Sequence, residues 1–256
     1  MKRFWLANNN LQHHAAATPA KFIHSISSRL FSISLLAIVA LLFSVNIYAQ
    51  PATDEQKQAE YKKTVTERVA KIVNGLEINN DAAYQKVLAI IVNQYFQVNT
   101  IHEESKTVVS AIKAKSLAKE ETEAALKAQE EKKSTNLLQQ HAAFIALLKE
   151  NLSDEQVEKV KDAMTYRVFP ITYAAYQDML PDLTAEQKDK IYNWLKEARE
   201  LAMDAESSDK KHAVFGKYKG RINNYLSAAG IDMKKEGEEW QKRIKEREKK
   251  SKEQGS

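Results

Sequence analysis

The chain has 256 residues, with 39 basic and 34 acidic side chains, six histidines and no cysteine. Without cysteine there can be no disulfide and no cysteine-linked lipid anchor, so stability has to come from packing. The formal charge of +5 suggests a basic protein, but its origin is local. Four basic residues and no acidic ones lie in residues 1–49, which leaves 35 against 34, a net +1, for the remainder. A nearly neutral remainder argues against nucleic acid as a partner.

The N-terminal segment reads as an export signal. Lys2, Arg3, Lys21 and Arg29 precede the apolar run Leu30 to Val45, and Ala49 follows as a small residue at the expected cleavage point. The run is shorter than the ~20 residues that span a bilayer comfortably. The expectation is a cleaved signal over 1–49, no stable membrane anchor afterwards, and a periplasmic or secreted product.

From Gly75 to Gly216 there is no glycine, and Pro170 and Pro181 are the sole prolines. So long a stretch without helix breakers predicts an all-α fold, a multi-helix bundle-like single domain over 50–233. A charged, partly disordered helical tail is expected over 234–256. The first helix starts at the capping box Thr53-Asp54-Glu55-Gln56. Its apolar stripe is Tyr61, Val65, Val69, Ile72, Val73 and Leu76, and Gly75 is expected to supply a left-handed cap. The second starts near Asn80 or Asp81 and carries Tyr84, Val87, Leu88, Ile91, Tyr95, Val98 and Ile101. Lys113 to Asn136 is poor in large apolar residues and reads as an exposed helical arm, a hairpin tip or a solvated linker helix. A third helix is expected over Thr135 to Asn151.

Two related starts follow, Leu152-Ser153-Asp154-Glu155-Gln156 and Leu183-Thr184-Ala185-Glu186-Gln187. In each, the hydroxyl accepts from the N3 amide, the glutamine reaches back, and the glutamate meets the positive helix end. Pro170 and Pro181 bracket a short segment between them. The helix from Thr184 has a core face of Ile191, Trp194, Leu195, Ala198 and Ala202, with Glu197, Glu200 and Asp204 elsewhere on its surface. A last compact helix is expected from Arg221 to Ala229, stopping at Gly230. In the tail, Trp240 and Ile244 are the residues available to dock.

The run Glu206 to Tyr225 is unlike the rest: polar, charged, aromatic and glycine-containing. Read as a loop leading into a helix, Gly216 to Arg221 brings backbone amides and positive charge to one place. Lys217, Lys219 and Arg221 suit carboxylates, with Arg able to grip one through two bonds. Tyr218 offers a ring face, and Asn223 and Asn224 donate and accept toward hydroxyls. Lys211 and His212 join this cluster. Tyr166 and Tyr173, near Pro170, could line a sugar cleft or form an aromatic core. An alternative for the basic residues is an ion network with Glu197, Glu200 and Asp204.

No phosphate loop or dinucleotide fingerprint is present, no spacing indicates a metal site, and Glu206-Ser207-Ser208-Asp209 lacks a nucleophile elbow and reads as a turn or helix cap. No cofactor is implied. Glu197 and Glu200 could be imagined as a general acid/base pair, but three apart on one helix their side chains lie close together and nothing forces them across a scissile bond.

Two resemblances follow. Val157 to Asp162, Thr165-Tyr166, Thr172-Tyr173, Tyr176 and Met179 to Pro181 resemble the core of an uncharacterised secreted bacterial family. So do Glu197 to Glu200, Ala202 to Asp204, Ser207-Ser208, Lys211-His212 and, most specifically, Phe215 to Tyr225. That family is a domain of unknown function described as putative sugar-binding, and its members often occur with polysaccharide-degradation systems. The resemblance covers roughly residues 61–232. It implies an exported carbohydrate-binding or polysaccharide-utilisation accessory protein with a saccharide partner, and the basic cluster favours a uronate-containing one. It supplies no catalytic residue. A glycan-processing lyase or hydrolase using the same cluster is the alternative. The twice-repeated Leu-[Ser/Thr]-x-Glu-Gln is also similar to the motif of small helical periplasmic chaperones.

Overall fold

The computed structural model describes residues 53–254, and the expected export signal lies outside them. Among the described residues there are eight helices and no strand, so the fold is all-α. They are α1 (Asp54–Asn74), α2 (Asp81–Ala114), α3 (Lys119–Asn151), α4 (Asp154–Met164), α5 (Val168–Met179), α6 (Ala185–Met203), α7 (Ser208–Ala228) and α8 (Met233–Gln254). None is long and apolar enough to cross a membrane.

The helix starts follow from local chemistry. Thr53, Ser153 and Thr184 each accept from the N3 amide, at 3.2, 3.3 and 3.2 Å, and Gln56, Gln156 and Gln187 return the bond. Asn80 caps α2 and Ser207 caps α7 by the same acceptor logic. Gln156 also donates from Nε2 to the Leu76 carbonyl at 2.9 Å, tying the start of α4 to the end of α1. At the far end of α7, Gly230 takes φ +88° while Ile231 N–H and Gly230 N–H bond the Leu226 and Ser227 carbonyls. This is a Schellman stop, and it needs a residue without a Cβ.

Three boundaries differ from expectation, and a larger difference lies at α7. Gly75 is right-handed at φ −76°, and the left-handed residue after α1 is Glu77. The third helix starts at Lys119 rather than Thr135. Its first half is rich in Ala, Glu, Lys and Gln, which sustain a helix without a core face. With α2 it forms a long hairpin whose tip is Lys115–Ala118, and a Gln129 to Ser105 bond of 3.2 Å joins the two arms. The segment after Pro170 begins earlier, at Val168, because proline is tolerated in a first turn.

The largest correction concerns the polar run near the C-terminus. Gly216 to Arg221 is not a loop at a helix start but the middle of α7. Lys211, Phe215, Tyr218, Ile222 and Leu226 recur at helical spacing and are all buried. Burying such a stripe, at about 1.5–3 kcal/mol per large apolar side chain, outweighs the ~1 kcal/mol helix penalty of each glycine. Gly216 and Gly220 sit on the outer face, and a Cβ at either would meet nothing within 4 Å. Gly216→Ala and Gly220→Ala should therefore each stabilise the fold by about 0.5–1 kcal/mol, read as a higher urea midpoint at unchanged slope. A loss of stability in either would contradict the open helical placement.

Two apolar clusters organise the bundle. The first joins α1 to α4 through Val69, Val73, Ile91, Phe144, Leu148 and Val160, and Met203 of α6 reaches into it. The second joins α5, α6 and α7 through Tyr176, Ile191, Leu195, Phe215, Ile222 and Leu226. Helix α8 packs on α5 by polar contacts. Trp240 Nε1 donates to Asp178 at 2.7 Å, Arg247 grips the same carboxylate at 2.9 and 2.7 Å, and Arg243 donates to the Met179 carbonyl at 2.9 Å. Cationic side chains at the carboxyl end of α5 suit its dipole.

Candidate functional site

The boundary between the two clusters is polar. Helix α4 faces it with Glu158, Lys161 and Asp162, and α6 with Arg199, Glu200 and Asp204. Arg199 is 1% exposed. Its guanidinium contacts Asp162 at 2.6 Å, Glu158 at 2.5 Å and Glu200 at 3.1 Å, and lies 5.0 Å from the Phe169 ring centre. Lys161 lies between Glu158 and Glu200 at 3.3 and 3.2 Å. His141 of α3 closes the row, with Nε2 3.2 Å from Glu200 and Nδ1 2.8 Å from Asp204. Asp204 and then Glu200 hold the imidazole in its charged form, with its pKa raised to about 9. Burial would raise Glu200, but His141, Lys161 and Arg199 outweigh it and hold the carboxyl down to about 2.

This network fixes the junction between α6 and α7. Asp204, the C-cap of α6, receives Gln94 Nε2 at 3.4 Å on its carboxylate, and Gln140 in turn donates to Gln94 at 2.8 Å. The Asp204 carbonyl accepts from His102 Nε2 at 2.8 Å, which assigns the proton to that nitrogen. Next along, Glu206 is held by Lys106 at 3.6 Å and approached by His102 Nδ1 at 3.8 Å.

Beside the junction lies a pocket of about 90 Å³. Helices α1 and α2 supply Tyr61, Arg68, Gln94, Tyr95 and Asn99, and the junction and α7 supply Glu206, Ser207, Ser208 and Lys211. Lys211 is 5% exposed. Its ammonium donates to the Met203 carbonyl at 3.1 Å and lies 5.7 Å from the Tyr95 ring centre. No carboxylate among the described residues stands within ion-pair distance of it or of Arg68. Burial pulls the Lys211 pKa down to about 8; Asp204 opposes this and Arg68 adds to it. Burial also pushes Tyr95 up to about 12, against the pull of Arg68, which sits 6.0 Å from its ring centre. Tyr166 and Tyr61 are close enough to Tyr95 to contribute to the same shift. Tyr166 stacks on His212 with ring centres 5.3 Å apart and planes 14° from parallel.

Tyr166 and Arg167 are both left-handed, at φ 57° and 55°, between α4 and α5. The turn is closed by Arg167 N–H to Asp162 O and Tyr166 N–H to Ala163 O. A left-handed non-glycine residue costs about 1–2 kcal/mol, so the surrounding packing holds Tyr166 in place over His212.

Of the residues singled out from sequence, Lys211, His212 and Tyr166 come together at or beside this pocket. The others do not join them. Lys217, Lys219 and Asn224 are exposed on α7. Tyr218 is a core residue whose hydroxyl meets Glu197, and burial followed by that contact pushes its pKa up to about 12. Arg221 lies over the Trp194 ring at 4.5 Å and reaches Glu197 at 3.9 Å. Asn223 accepts from the Tyr176 hydroxyl at 2.7 Å. Tyr173 packs edge-on against Tyr192, 5.3 Å between centres. The alternative ion network is present for Arg221 and Glu197 alone, since Glu200 and Asp204 pair with His141, Lys161 and Arg199.

A family profile matches residues 62–246 of this chain. The chain belongs to DUF3826, a protein family of unknown function. The match runs from the first helix into α8. In this DUF3826 chain it takes in the whole ion network and every pocket residue except Tyr61. No match was found among curated proteins. Sequence reasoning passed over Arg68, Gln94, Asn99 and His141, and placed Tyr61 and Tyr95 in apolar stripes. The signal for the tyrosines was available: a phenol on a core stripe needs a polar outlet.

Proposed function

We propose that this DUF3826 protein is an exported saccharide-binding accessory protein, and that the pocket between α1, α2 and α7 receives a carboxylate, such as that of a uronate. The observation that carries the reading is Lys211, a buried ammonium on the pocket with no carboxylate of the described residues at ion-pair distance; Glu206, the acidic residue of the lining, is held instead by Lys106. A buried charge is ordinarily paired, and an incoming anion supplies the partner. Arg68 adds a second cation suited to two-pronged carboxylate contact. The start of α7 adds the positive end of a helix dipole and first-turn amides beyond that of Lys210, which Ser207 caps. Tyr61 and Tyr95 offer ring faces, and Gln94 and Asn99 suit hydroxyls. A pocket of about 90 Å³ is well below the ~300 Å³ of a drug-sized site, so the carboxylate end enters and the rest of the saccharide lies across the rim.

Calorimetric titration with galacturonate oligomers at low salt tests this. Binding is expected for the wild type, with at least about a tenfold loss in Lys211→Met and in Arg68→Ala, no change in Arg221→Ala, and no heat from the neutral galactose oligomer. Equal affinity in all variants, or no heat from the acidic oligomer, would overturn it.

A further inference from the structure

We propose that Lys211 is a covalent site as well as an ionic one, its amine forming an imine with a small carbonyl-bearing carboxylic acid held in the pocket. The proposal rests on the carboxylate reading above and adds a reaction to it. Three observations point the same way. Lys211 lies in a pocket of about 90 Å³, the right scale for a three- or four-carbon acid or for the end of an open-chain uronate. The residue is 5% exposed, and among the described residues the acceptor its ammonium uses is the Met203 carbonyl at 3.1 Å. No carboxylate of the described residues stands within ion-pair distance of it, burial outweighs the more distant pull of Asp204, and Arg68, on the α1 side of the same pocket, is placed to take the acid's charge. The exposed lysines at 217 and 219 have none of this enclosure.

The burial that depresses Lys211 makes the free amine accessible near neutral pH. The amine lone pair attacks the carbonyl carbon, and the C=O π pair moves to oxygen. Proton transfer from nitrogen to oxygen gives the carbinolamine. Protonation of its hydroxyl and loss of water leave the protonated imine, with the C–O bond broken and a C=N bond formed. No oxidant or reductant is consumed. Tyr95 stays protonated at neutral pH and Ser207 and Ser208 carry hydroxyls at the same pocket, so proton donors are at hand for the departing water. A 2-oxo acid and an open-chain uronate both bring an electrophilic carbonyl and a carboxylate, adjacent in the first and at opposite ends of the chain in the second.

The test is reductive trapping in the full chain. Wild-type protein is incubated with pyruvate or, separately, with glucuronate in the presence of cyanoborohydride, then digested and mapped by mass spectrometry. Lys211 should be labelled at least about tenfold faster than Lys217 and Lys219, and Arg68→Ala should slow it about tenfold. Lys211→Met should abolish that adduct and no other. Faster labelling by pyruvate would assign a 2-oxo acid, and faster labelling by glucuronate a uronate end. Labelling of Lys211 no faster than the exposed lysines overturns the proposal, and this comparison within the wild type does not depend on any variant folding. Calorimetry with the same two acids separates the two ideas. Heat lost in Arg68→Ala without trapping leaves a purely ionic site, and absence of both heat and trapping removes the carboxylate reading as well.

Discussion

Arg199→Ala should lower the unfolding free energy by about 3–5 kcal/mol, the range for breaking a buried ion pair from one side. The guanidinium is 1% exposed and meets Asp162, Glu158 and Glu200. Removing it leaves three carboxylates facing one another across α4 and α6 with Lys161 and His141 as their remaining cations. It also empties the space over the Phe169 ring that the guanidinium fills. Arg199→Met keeps most of that volume, so it isolates the charge and should still cost more than half as much. Urea unfolding at neutral pH reads both. A loss under about 1 kcal/mol in Arg199→Ala would mean that the row behaves as a screened surface pair, which its burial does not allow.

The second large effect is a dependence of stability on pH carried by His141. Its pKa is raised from 6.5 to about 9 in the folded state. The stabilisation is therefore fully present below about pH 6.5 and is lost as pH rises toward 9. Its ceiling is on the order of 3 kcal/mol, at ~1.4 kcal/mol per unit. Glu200, held down to about 2 from 4.5, works at the other end: its contribution is present above pH 4.5 and lost as pH falls toward 2. These shifts describe one shared interaction and are not added together. Lys211, depressed from 10.5 to about 8, favours the fold as pH rises between those values, opposing His141 there. The clean window is thus pH 6.5–8. His141→Gln should remove the decline in stability across it while lowering stability at pH 6 by about 2–3 kcal/mol. An unchanged slope in the variant would contradict the assignment.

Much of the helix pattern was legible because it is written in short-range chemistry. The three capping boxes at Thr53, Ser153 and Thr184 announce helix starts through contacts spanning three residues. The stripe Ile191, Leu195, Ala198 and Ala202 announces a core face at one period. The α7 region resisted the same reading because two glycines and four basic residues mask an inner stripe in which one member, Lys211, is itself charged. Composition pointed to the outer surface of that helix, and the buried face was the one that lines a pocket. The ion network was visible only in halves. Glu158, Lys161 and Asp162 form one charged face and Glu197, Glu200 and Asp204 another, but nothing local says that Arg199 and His141 lie between them. That pairing spans 37 residues for Arg199 and Asp162, and Gln94 meets Asp204 across 110. Contacts of this kind are set by how helices stack.

The same distinction separates the residues of the candidate site. Lys211 and His212 were conspicuous because they stand in an unusual run, and Tyr166 because it flanks a proline. Arg68 was inconspicuous because a single arginine on the polar side of an amphipathic helix is ordinary. It becomes notable only when α1 is laid beside Tyr95 and Lys211.

The most direct test of the central claim is a crystal structure of the protein soaked with a galacturonate oligomer. A uronate carboxylate should lie between the Lys211 ammonium and the Arg68 guanidinium, within hydrogen-bond distance of the first amides of α7, with the sugar ring resting against the tyrosines at the rim. A saccharide bound instead on the outer face of α7, among Lys217, Arg221 and Asn224, with the pocket unchanged, would contradict it.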